Sequence, residues 1–126
     1  MNSIKILVIG KSAIDRRYLQ PVIDDNMDGV VMVNSTEGVL QIVQETLFDL
    51  VILDICLLKN ENFDFIRVLK QYLNHSQIIV VSENNSKELE TAVRKTGIAF
   101  YMLKPVDMKY LNSIVAHIST KLGTKN

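Results

Sequence analysis

Asp54, Ser82 and Lys104 each stand at or just past the end of an apolar, β-branched run: Leu50-Val51-Ile52-Leu53, Ile78-Ile79-Val80-Val81, and Ile98 to Leu103. A carboxylate, a hydroxyl and an ammonium gathered at three such ends make an anion-handling site. Asp54 would be the nucleophile, Ser82 a donor to a phosphoryl oxygen, and Lys104 the counter-charge to the same group. Asp54 is the most demanding of the three. An ionised carboxylate left unpartnered beside an apolar core costs several kcal/mol, so one placed there answers to a cation, a proton or a reaction. Singly, each residue has an ordinary explanation: an aspartate caps a loop, a serine bonds backbone, a lysine sits on a surface. Their shared placement is what carries weight.

Five apolar runs must position them: Ile4 to Ile9, Val30 to Val33, Leu50 to Asp54, Ile78 to Val81, and Ile98 to Leu103. Several are continuous rather than alternating, as strands buried on both faces of a parallel sheet are. Stretches of helical period lie between them. The first helix is expected from about Ala13 to about Asp25, with Ile14, Leu19 and Val22 facing the core and a kink or break at Pro21. The second repeats Val39, Leu40, Val43 and Leu47 behind a cap at Ser35 or Thr36. The third runs from about Asn62 to Leu73 with Phe63, Ile66 and Leu69 on one face. The fourth starts at Asn84-Asn85-Ser86, with Asn85 and Glu88 at capping-box spacing and Gly97 just past its end. Asp107 should cap the last helix, whose Leu111, Ile114, Val115 and Ile118 face the sheet.

Strict alternation of strand and helix specifies an α/β fold: one doubly wound, five-stranded parallel sheet with five helices, a single domain over residues 1–126. Ligands of such sheets gather at the carboxyl ends of the strands where strand order reverses. Gly10-Lys11, Asp54, Ser82-Glu83 and Lys104-Pro105 are thereby expected around one crevice.

Composition narrows the possibilities further. With 48% hydrophobic and 22% charged residues the chain is outside the disordered range. Lys+Arg and Asp+Glu both number 14, which lacks the basic footprint of a nucleic-acid binder. Cys56 is the only cysteine, excluding an internal disulfide and suiting a reducing compartment. The run at Ile4 to Ile9 is too short for a signal peptide and no segment reaches the length of a membrane span, so a cytoplasmic location is expected.

Over essentially its whole length the chain resembles the receiver domain of two-component response regulators, which have a flavodoxin-like fold. Phe48-Asp49-Leu50-Val51-Ile52-Leu53-Asp54 is similar to the strand leading into that family's phosphoacceptor. Ile78 to Ser82 resembles the strand ending in its Ser/Thr, and Gly97 to Pro105 its glycine, aromatic and Lys-Pro segment. The resemblance implies Asp54 as phosphoacceptor, Ser82 as phosphoryl-sensing hydroxyl, Lys104 as phosphate-binding lysine and Tyr101 at the aromatic switch position. It implies a histidine kinase or phosphotransfer protein and an output protein or domain as partners, and Mg²⁺ in the transfer step. It also implies a signalling module rather than an enzyme; the even charge balance and the lack of a long apolar segment lead to the expectation of no direct nucleic-acid contact and no membrane. The fourth helix, fifth strand and fifth helix, here Glu88 to Lys95 and Lys109 to His117, would form its partner or homodimer face.

One departure stands out. Where the family places an acidic pair after the first strand, this chain has Gly10 and Lys11. Of the family's metal set only Asp54 and the backbone carbonyl of Cys56 remain, whereas Mg²⁺ needs near-octahedral oxygen ligands. An ammonium a few Å from a dication opposes it by several kcal/mol at an effective dielectric of about 20. No cofactor is therefore assigned, and Mg²⁺ binding is expected to be weak. Lys11 either pairs with Asp54, supplying the charge a metal would, or points to solvent. Glu83 replaces a small residue after Ser82 and either crowds the entrance or turns outward. Tyr101 is a switch or an edge-strand aromatic. Cys56 is expected as a small core hydrophobe, and His75 and His117 as surface residues.

The favoured reading is an atypical receiver, impaired in Mg²⁺-dependent phosphorylation and acting through protein–protein interaction. The alternatives are a working phosphoacceptor and, more distantly, a flavodoxin-like small-molecule binder. Gly10-Lys11-Ser12 lacks the spacing of a nucleotide fingerprint.

Overall fold

A computed structural model describes residues 4–11, 17–58 and 63–123. Five strands, β1 (Ile6–Ile9), β2 (Val30–Val33), β3 (Leu50–Asp54), β4 (Gln77–Ser82) and β5 (Phe100–Leu103), form one parallel sheet in the order β2-β1-β3-β4-β5. The register runs Ile6 against Val30 and Leu50, Leu50 against Gln77, and Ile79 against Phe100. The helices are α1 (Gln20–Asp25), α2 (Thr36–Val43), α3 (Asp64–Tyr72), α4 (Lys87–Arg94) and α5 (Met108–Gly123).

The continuous apolar runs have the expected cause. β1 and β3 are buried at every position, and their alternate side chains enter two separate cores. Ile6, Val8, Leu50, Ile52, Ile79 and Val81 pack with Leu19 and Val22 of the first helical segment and with Leu111, Ile114, Val115 and Ile118 of α5. Leu7, Ile9, Val51, Leu53, Ile78 and Val80 pack with α2, α3 and α4 through Val39, Val43, Ile66, Leu69 and Val93. The edge strands β2 and β5 are only partly covered, β2 reaching full burial nowhere and β5 only at Met102.

Several local expectations need correction. Of the kink or break expected at Pro21, it is the break that holds, and it falls before the proline rather than at it. Pro21 lies in the first turn of α1, where its missing N–H is not needed, behind a 3-10 turn at Arg17–Leu19. The expected start near Ala13 and the core role of Ile14 fall outside the described residues. α2 ends at Val43, so Leu47 lies in the following loop and is 78% exposed. Its i+4 spacing from Val43 continued a pattern that the backbone had already left.

Ser35 caps α2, its hydroxyl accepting from the Gly38 N–H at 3.0 Å. For α4 the cap is Ser86, one residue later than expected, accepting from Leu89 N–H at 3.2 Å. Asp107 caps α5 as expected, one carboxylate oxygen accepting from the N–H groups of Lys109 and Tyr110. Gly97 ends the α4 region at φ +92°, a left-handed conformation that a Cβ disfavours.

Candidate functional site

β1 has β2 on one side and β3 on the other, so strand order reverses there and a crevice opens at the carboxyl ends of β1 and β3. Asp54 ends β3 on the edge of that crevice and is 5% exposed. Ser82 ends β4, two strand positions from the core residue Val80, and is 1% exposed. The N–H of Lys104 donates to the Ser82 carbonyl at 2.9 Å, which carries the β4–β5 ladder past Leu103 and sets the lysine beside the aspartate. The Lys104–Pro105 peptide that follows is cis.

The lysine ammonium donates to Asp54 Oδ2 at 2.6 Å, with both side chains largely out of solvent. The other carboxylate oxygen, Oδ1, accepts the Cys56 N–H at 3.0 Å as the chain enters a 3-10 turn at Ile55–Leu58. Both oxygens of Asp54 are thus engaged by charge or dipole, which is what lets a carboxylate sit beside Leu53 and Val81. Lys104 Nζ lies 3.5 Å from Glu83 Oε1 and 5.8 Å from the centre of the Tyr18 ring. Two carboxylates and an aromatic face surround this one ammonium.

Ser82 does not reach Asp54 by a hydrogen bond. Its hydroxyl accepts the Asn84 N–H at 3.0 Å and turns toward the Asn84 carbonyl at 3.4 Å, closing a local turn. The same carbonyl accepts from the Tyr101 hydroxyl at 3.5 Å, while the Arg94 guanidinium stacks 5.9 Å from the Tyr101 ring centre. Tyr101 is half-buried on β5, and Asn84 connects it to the loop that holds Ser82. Ser82 and Glu83 also line a cleft of about 500 Å³ with Cys56, Phe63 and Asn84.

Gly10 is buried at the end of β1, its N–H bonded to Val33 at 3.1 Å. Lys11 is exposed and, among the described residues, makes no ion pair with Asp54. Of the two arrangements open for it, the outward one holds, because Lys104 already occupies the free side of the carboxylate. Glu83 has its own outcome: its side chain is 72% exposed, yet its carboxylate bends back on Lys104. Cys56 corrects the expectation of a core thiol. The 3-10 turn that donates its N–H to Asp54 puts its sulfur on the surface. His75 and His117 are exposed, both at a cleft around Tyr72 and Phe100 near the opposite end of the sheet.

Sequence reasoning missed Tyr18 and Asn84. Tyr18 belongs to the 3-10 turn before α1, where helical periodicity gives no cue to its facing Lys104. Asn84 acts through its backbone, and only its position two residues after Ser82 hinted at a turn.

The family model for the response regulator receiver domain matches residues 6–116. The chain belongs to the response regulator receiver domain family. As a receiver it is similar in fold to a two-component response regulator from Clostridium difficile, with a TM-score of 0.80 at 17% identity over 92% of this chain and 95% of that one. A CheY-like receiver domain protein from Methanospirillum hungatei JF-1 gives 0.77 at 17% identity over 98% and 100%. A response regulator from Burkholderia pseudomallei, holding a phosphorylated aspartic acid, calcium and citrate, gives 0.77 at 15% identity over 98% and 72%. Among curated proteins none matches this receiver by sequence. The receiver assignment places the chain in two-component signalling, where such domains interact with histidine kinases and output domains. Among the described residues no helix is long and apolar enough to cross a membrane.

Proposed function

We propose that this receiver signals by binding partner proteins, with Mg²⁺-dependent phosphorylation of Asp54 impaired. The observation that carries this reading is the set of groups at the end of β1. Gly10 offers no side chain, Lys11 adds a positive charge at the rim, and Lys104 is bonded to Asp54 at 2.6 Å. A magnesium ion requires one or two carboxylates free to take it. Here both Asp54 oxygens are engaged, and the nearby Glu83 is turned on Lys104. Among the described residues no group of three or more His, Cys, Asp or Glu side chains comes together. The donor set does not fit the metal.

In this reading the Asp54–Lys104 pair holds the crevice in one electrostatic state, and the surfaces around it do the signalling. The face of α4, β5 and α5, where Leu103 and Tyr110 are exposed, is available to an output partner or a second copy.

A working phosphoacceptor is the second reading, favoured by one observation: Asp54, Ser82 and Lys104 do meet at three adjacent strand ends. Intact-mass spectrometry after incubation with Mg²⁺ and acetyl phosphate separates the two. The impaired site gives no stoichiometric phosphoryl adduct. An adduct that forms on the wild-type chain and disappears in Asp54→Asn would establish the second reading instead.

A further inference from the structure

Between α3 and α4 runs a groove of about 680 Å³. Phe63 and Ala92, both half-buried, line it with the exposed Thr91, Arg67 lies on the α3 side, and Lys87 and Lys95 lie on the α4 side. Glu88 is the acid among its described lining residues. Lys87, Thr91 and Lys95 recur every fourth residue, so the two lysines mark the ends of one stripe about 12 Å long.

The neighbouring cations of these helices are engaged. Arg67 pairs with Asp64 at 2.9 Å, Arg94 pairs with Glu90 at 2.8 Å, and the Lys70 ammonium donates to the Gly97 carbonyl at 2.6 Å. No ion pair among the described residues reaches Lys87 or Lys95. In a chain whose charges sum to zero, this is a local positive surplus beside the apolar Phe63 and Ala92. Phe63 also lines the cleft that holds Ser82 and Glu83, so the groove and that cleft share one wall.

We propose that this groove docks an amphipathic helix of a partner protein, one carrying acidic residues on either side of an apolar ridge. The ridge packs on Phe63 and Ala92, where the small α4 side chains let a second helix approach. Carboxylates two turns apart on that helix meet Lys87 and Lys95, a match of sign and spacing. This gives the interaction role proposed above a surface, and rests on it to that extent.

The test uses the full chain, isotopically labelled, and a short synthetic helix with leucines along one face flanked by glutamates. Saturable amide shifts are expected at Phe63, Arg67, Thr91 and Ala92. A second peptide with lysine in place of each glutamate should bind about tenfold more weakly or worse, and Lys87→Glu with Lys95→Glu should weaken the acidic peptide by a similar factor. Lys5→Glu, exposed just before β1 and outside both the groove and the α4-β5-α5 face, should change nothing. Circular dichroism of the double variant separates lost docking from lost folding. Equal affinity for both peptides, shifts confined to another face, or no saturable shifts would overturn the proposal. So would a DNA duplex that binds the same two lysines more tightly than the acidic peptide. Failure of the peptide leaves the acetyl phosphate result untouched, so the groove and the state of Asp54 are judged separately.

Discussion

Lys104→Met isolates the electrostatics of the crevice. The substitution keeps most of the stem but removes the ammonium 2.6 Å from Asp54, leaving a carboxylate whose side chain is 6% exposed with only the Cys56 N–H. Removing one partner of a buried pair costs about 3–5 kcal/mol. Lys104 is itself 16% exposed, so some water reaches the gap and about 2–3 kcal/mol is the better expectation. Asp54→Asn should cost much less, about 0–1 kcal/mol, because asparagine still accepts the Cys56 N–H and Lys104 can turn to Glu83, 3.5 Å away, and to solvent. In the double variant neither charge remains, and most of the loss should be recovered. Urea denaturation reads all three. With a slope of about 2 kcal/mol/M, Lys104→Met should lower the midpoint by about 1 M and Asp54→Asn by less than half of that. The cycle should give a coupling near 2 kcal/mol. A larger loss for Asp54→Asn than for Lys104→Met, or a coupling below about 0.5 kcal/mol, would refute the pairing.

Other expectations are simpler to read. Gly10→Asp combined with Lys11→Asp restores carboxylates at the end of β1, and isothermal titration should then detect Mg²⁺ binding to the variant and none to the wild-type chain. Gly97→Ala forces a Cβ into φ +92° and should destabilise by about 1–2 kcal/mol in thermal melts. Its new methyl would lie 3.2 Å from the flexible Lys70 ammonium, so strain in the backbone rather than the contact sets that cost. Ser86→Ala removes the hydroxyl that accepts from Leu89 and should cost about 1 kcal/mol by the same measurement.

The sheet was legible because burial on both faces writes itself into uninterrupted runs such as Leu50 to Leu53, and because parallel strands need the helices that the intervening period supplied. Caps were legible where a side chain of the right type preceded a periodic stretch, as at Ser35 and Asp107. At α4 three candidates in a row, Asn84, Asn85 and Ser86, could each cap, and only backbone geometry selects the serine. Leu47 and Cys56 were misplaced for one reason: hydrophobic type says what burial would be worth, not whether the backbone turns the side chain inward. At the site, strand ends correctly brought Asp54 and Lys104 together. Whether Lys11 also pairs with the aspartate or points to solvent is a matter of ångströms, and only the placed side chains select the second.

The central claim, that Asp54 is held by Lys104 rather than by a metal, is tested most directly with Mg²⁺ and beryllofluoride, an acyl-phosphate mimic. Amide resonances around Asp54, Ser82 and Tyr101 are followed as both are added. The expected result is no saturable shift at millimolar metal. Saturable shifts spreading from Asp54 through Ser82 to Tyr101 would contradict it and show a receiver that still takes its phosphoryl group.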